Sequence, residues 1–78
     1  MNQQLRLNDI QPGQRARVIS MQATGSMGRR LLDLGLVNGS VVECLGRSPC
    51  GDPTAFLIRG AAIALRSEDS REIFVTAL

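Results

Sequence analysis

The sequence predicts a small, mainly β domain in which five short strands curl into a partly open barrel carrying one α-helix and one helical turn. Three observations support this. Turn-forming stretches at Pro12-Gly13, Asn38-Gly39 and 47–53 cut the 78 residues into short pieces. The pieces between them are rich in alternating or β-branched apolar residues. Only one segment combines helical periodicity with start and stop signals.

Taken in order, Leu5, Leu7 and Ile10 lead into Pro12-Gly13, the central pair of a type II turn. Arg15 to Met21 reads as the first main strand. The helix should run from Met27 to Leu34, because Met27, Leu31 and Leu34 recur at the i, i+4, i+7 spacing of one face. Ser26 is placed to cap it, Gly35 to end it in a left-handed conformation, and Leu36 to supply the accompanying apolar contact. After the Asn38-Gly39 turn, Ser40 to Gly46 forms a strand through Val41, Val42 and Leu45.

Two prolines and a glycine exclude regular structure from 47–53. Thr54 to Arg59 returns as a strand with Phe56 and Ile58 on one face, Ala55 and Leu57 on the other. Gly60 breaks it, and Ala62 to Arg66 resumes. Ser67-Glu68-Asp69-Ser70 reads as a helical turn capped by Ser67, with two acids suited to the helix dipole. Ile73 to Val75 closes the chain as a strand. Curling so small a sheet reduces its exposed edges.

The length supports a single domain over 1–78 whose core, unstapled, yields only ~3–5 kcal/mol. A composition 44% hydrophobic suits a globular chain. The longest apolar run, Ala61 to Leu65, is five residues, far short of the ~20 a membrane helix needs. The polar start Met1-Asn2-Gln3-Gln4 leads into no apolar signal core, so a cytoplasmic protein is expected. A net charge of +2 is too small to argue for nucleic acid. All nine cations are arginine, suited to planar contacts with carboxylate or phosphate. Cys44 and Cys50 lack a zinc spacing and have no histidine to assist them, so free thiols and no metal site are expected, the alternatives being a disulfide across the loop or a metal-sensing site built on the two thiolates.

Catalysis is not expected. The chain has no histidine or tyrosine, no serine or cysteine beside a recognisable general base, and seven scattered carboxylates. No phosphate-binding glycine loop is present, so neither nucleotide nor any other cofactor is expected.

Three motifs in order carry a family resemblance: Arg30-Leu31-Leu32-Asp33-Leu34-Gly35-Leu36-Val37-Asn38-Gly39; the loop Arg47-Ser48-Pro49-Cys50-Gly51-Asp52-Pro53; and Ile63-Ala64-Leu65-Arg66 with Ser67-Glu68-Asp69 and Ile73-Phe74-Val75. From about Leu5 to Ala77 the chain resembles the ferrous iron transport protein A (FeoA) family. It departs at Asn38, where that family commonly has proline, and at Cys50, where an aliphatic residue is usual. The resemblance implies an SH3-like barrel with a helix inserted between its first two main strands. It also implies a cytoplasmic accessory of bacterial ferrous iron uptake, acting on the GTP-binding part of a FeoB-like membrane permease and recruited by it to the membrane's inner face. The same barrel is fused to metal-dependent repressors, so a stand-alone relative of that domain is one alternative, and a small nucleic-acid-binding barrel another. Phe56 and Phe74 are the only stacking aromatics for the latter, and both fit strand sites.

Two segments are the expected docking surface. On the helix these are Met27, Arg29, Arg30 and Leu31; Arg29 and Arg30 would lie in the first turn and Asp33 near the end, against the dipole at both places. The other reading is a solvated basic face with Leu31 and Leu34 in the core. On the loop, Pro49 and Pro53 would hold the backbone stiff while Arg47 and Asp52 provide polar ends. A small apolar surface would also permit weak self-association.

Overall fold

A computed structural model describes residues 5–22 and 25–78, Met27 through its backbone alone. All five expected strands form: β2 (Arg15–Met21), β3 (Val41–Arg47), β4 (Thr54–Ile58), β5 (Ala61–Leu65) and β6 (Ile73–Ala77). A two-residue strand, β1 (Leu5–Arg6), precedes them and pairs with β6 through Leu5–Val75 and Arg6–Phe74. Strand order is β1-β6-β2-β3-β4-β5, antiparallel throughout. The first residues were expected only to lead into a turn. Instead a 3-10 turn at Leu7–Asp9 follows β1, and its Asp9 carboxylate accepts a hydrogen bond from the Arg6 amide at 2.9 Å.

Alternation along each strand sends one face inward. Ala16, Val18, Val42, Cys44, Phe56, Ile58, Leu65, Ile73 and Val75 form the core with Leu7, Ile10, Leu31 and Leu36. Phe56 and Ile58 face inward and Leu57 outward, as the alternation predicts.

Helix α1 spans Gly25–Asp33, starting earlier than expected. Ser26 therefore lies inside the first turn and is not the cap, and the residue preceding the helix lies outside the described residues. The far end follows the sequence closely. Gly35 has φ +95°, its amide bonds to the Leu32 carbonyl at 3.0 Å, and the Leu36 amide bonds to the Leu31 carbonyl at 2.9 Å. This pair of bonds is the Schellman motif, and its apolar partners Leu31 and Leu36 are both fully buried. The Ser40 hydroxyl then fixes the exit: it donates to the Gly35 carbonyl at 3.2 Å and accepts from the Val37 amide at 3.0 Å.

The turn before β3 is closed by the Ser40 amide on the Val37 carbonyl at 2.9 Å, with Gly39 at φ +94°. The short helix α2 covers Ser67–Ser70, with Arg66 at its cap position. Ser67 was expected to cap this turn but is its first residue. Its amide is taken instead by the Asp52 carboxylate at 2.8 Å, a contact between segments distant in sequence. Arg59, read as the end of a strand, belongs to the β4–β5 turn and has φ +51°.

Candidate docking surface

The two expected segments sit at opposite ends of β3. The helix exit feeds its first residue, Val41, and the proline loop follows its last, Arg47. Seven strand residues separate the two segments by roughly 20 Å.

On the helix, Arg29 and Arg30 are exposed and make no hydrogen bond or ion pair among the described residues. The earlier helix start alters their electrostatics. Arg30 now lies in the last turn, where the dipole favours a cation, so the expected conflict with the dipole disappears for it. Asp33 remains at the unfavourable end. Leu31, expected on the docking surface, has no exposed area because the i, i+4 stripe that contains it faces the core. The apolar residue this helix offers to solvent is Leu32, 54% exposed. The Met27 side chain lies outside the described residues.

On the loop, Ser48-Pro49-Cys50-Gly51 forms a turn closed by the Gly51 amide on the Ser48 carbonyl at 2.8 Å, with proline and glycine where a type I turn favours them. A cis peptide joins Asp52 to Pro53. The polar ends are bound within the chain. Arg47 donates to the Ile10 carbonyl at 3.1 Å and to the Asn8 carbonyl and Gln11 Oε1 at 3.4 Å, so it clamps the N-terminal segment to the end of β3. Asp52 holds α2. Pro49 and Cys50 are exposed, whereas Cys44 is buried and both thiols are free. Among the described residues no three or more of His, Cys, Asp and Glu gather as a metal site would require.

Between these ends runs a strip that the sequence reading passed over. Pro53 and Arg47 border a cleft of about 400 Å³ that Leu45, Ala55 and Ala64 also line. At the helix end a second cleft, about 260 Å³, lies over Val41 and Leu57 between Arg15 and Arg59. The registers Glu43–Leu57, Leu57–Ala62 and Ala55–Ala64 place these residues on the outward face of β3–β5. Val41, Leu45 and Leu57 are 42%, 43% and 36% exposed. An outward sheet face is ordinarily polar, so exposed aliphatic side chains beside two clefts make this face a candidate surface. The alternation Val41-Val42 and Leu45, with alanines across β5, was the available signal.

The FeoA domain model matches residues 5–77. The chain belongs to the FeoA family. The FeoA protein of Chlorobium tepidum is 35% identical, with a TM-score of 0.88 over 95% of this chain and 70% of that one. The zinc-complexed FeoA of Stenotrophomonas maltophilia, described as a procaryotic SH3 domain protein, is 26% identical, with a TM-score of 0.80 over 92% of this chain and 89% of that one. The fold is therefore SH3-like and mainly β. Among curated proteins, the Fe(2+) transport protein A/Fe(2+) transporter FeoB fusion protein of Porphyromonas gingivalis is 28% identical over 91% of this chain. The chain spans only 8% of that relative's length. The family ties the FeoA domain to ferrous iron transport, and no helix among the described residues is long and apolar enough to cross a membrane.

Proposed function

We propose that this chain is a non-catalytic cytoplasmic accessory of bacterial ferrous iron uptake. It binds the cytoplasmic GTP-binding part of a FeoB-like permease, which recruits it to the inner face of the membrane, and it modulates transport. The observation that carries this reading is the fusion of a homologous domain to FeoB in a single chain, because fused domains work at high effective concentration on one another. Helix α1 with Arg29, Arg30 and Leu32, and the loop with Pro49 and Pro53, are the assigned contacts. All but Pro53, which is half-buried, are exposed.

The test is a pull-down of the permease from bacterial membranes with wild type, with Arg29→Glu/Arg30→Glu and with Pro49→Gly. Wild type should retain the permease, and the charge reversal should lose it while its melting temperature stays within about 3 °C of wild type, as expected of exposed positions. Equal retention by all three chains would remove the assigned contacts, and no retention by wild type would remove the function. The rate of GTP hydrolysis with and without the chain then shows whether modulation acts on the nucleotide step.

A further inference from the structure

We propose that the outer cleft over Val41 and Leu57 is a second docking site, specific for an extended protein segment that sets a carboxylate beside an aliphatic side chain, and that Arg59 is its recognition residue.

The backbone singles out Arg59. It is the only non-glycine among the described residues with positive φ, +51°, and Gly60 follows at +85°. Two successive positive φ values make a type I′ hairpin turn, whose first position favours asparagine, aspartate or glycine. An arginine there works against the hairpin. Its side chain is nonetheless held in place. The Arg59 stem lies over Gly35, with Nε, Cδ and Cγ 3.1, 3.5 and 3.6 Å from where a Cβ on that glycine would stand. The end of α1 thus supports the guanidinium at the rim of the cleft. A residue kept against its local preference, and braced by a neighbouring element, is the pattern of a binding position.

The surrounding charge defines the occupant. The register sets Arg17 opposite Val41, and Val41 lines the cleft together with Arg59. Arg15 stands opposite Glu43, and Glu43 opposite Leu57. The lining sets Arg15 and Arg59 against Glu43, and Arg17 on the neighbouring strand adds a further cation, so the site is basic, with the uncompensated charge at the Arg59 end. A carboxylate is expected there, where an arginine fork can bind it through two hydrogen bonds, and the aliphatic side chain fills the space over Val41 and Leu57. Nucleic acid fits less well, because no aromatic ring lines this cleft to stack a base. The site rests on its own chemistry and stands whether or not the permease supplies the segment.

The test is an amide NMR titration of the full chain with the blocked pentapeptide TLTDT, whose leucine and aspartate share one face when extended, its basic counterpart TLTKT, and a short oligothymidine. TLTDT should shift residues 41–43 and 57–60, and the other two should not. Arg59→Asn should weaken TLTDT about tenfold, the loss expected when one charge-assisted contact goes. The same variant should raise the melting temperature, because asparagine suits the turn better. Equal binding of both peptides, preference for oligothymidine, shifts confined to other residues, unchanged affinity in Arg59→Asn, or a fall in its melting temperature would each overturn the assignment.

Discussion

Gly35 and Gly39 form a natural matched pair. Their φ values are +95° and +94°, yet a Cβ on Gly39 would meet nothing within 4 Å, whereas one on Gly35 would press on Arg59 at 3.1 Å. A left-handed conformation costs a non-glycine residue roughly 1–2 kcal/mol. For 78 residues the unfolding entropy is about 0.16 kcal/mol/K, so Gly39→Ala should lower the melting temperature by about 6–12 °C. Gly35→Ala should cost the same plus about 0.5–1 kcal/mol for moving the arginine off its rotamer, a further 3–6 °C or so. Calorimetric melting of both variants, repeated with Arg59→Ala, isolates the contact. The additional loss should disappear without the arginine. Equal losses in the wild-type background, or a difference that persists without Arg59, would refute the packing of this side chain on the helix end.

Three other outcomes follow from the same geometry. Leu31→Ala should cost about 2–5 kcal/mol and leave the domain barely folded, whereas Leu32→Ala should shift stability by no more than about 0.5 kcal/mol, as urea titrations would show. Arg47→Ala should lose about 1–2 kcal/mol with its bonds to Asn8, Ile10 and Gln11, and amide exchange should accelerate across 8–11; an unchanged melting temperature would mean that the clamp contributes nothing. Asn38→Pro should gain about 0.4–1 kcal/mol, because Asn38 occupies the second position of a turn in which only Gly39 has positive φ.

What could be read in advance tracks how local each signal is. The helix stop at Gly35-Leu36 was legible because a glycine followed by an apolar residue encodes the Schellman bonds within six residues. The helix start was misplaced because Ser26 has the chemistry of a cap wherever it stands, and nothing nearby marks it as interior. That displacement carried the dipole argument for Arg30 with it. The cap of α2 was assigned to Ser67 when a carboxylate fifteen positions away in sequence does the work, a contact only the folded sheet creates. Arg47 and Asp52 looked like surface charges for the same reason. Of the residues expected to dock, Arg29, Arg30 and Pro49 are exposed, while Leu31 belongs to the core. The outward strip from Val41 to Ala64 needed the strand register, since no single segment of sequence shows that β3, β4 and β5 align their apolar outer residues. Arg59 was read as strand because the alternation of β4 runs directly into it, and its left-handed backbone is what an arginine least advertises.

The proposed role of this small scaffold is to present surface to a permease. Titration calorimetry of the purified chain into the permease's isolated cytoplasmic GTP-binding domain measures that most directly. A saturable heat with one chain per domain, lost in Arg29→Glu/Arg30→Glu, is the expected result. No heat with a correctly folded wild-type chain, or the same affinity after charge reversal, would contradict it.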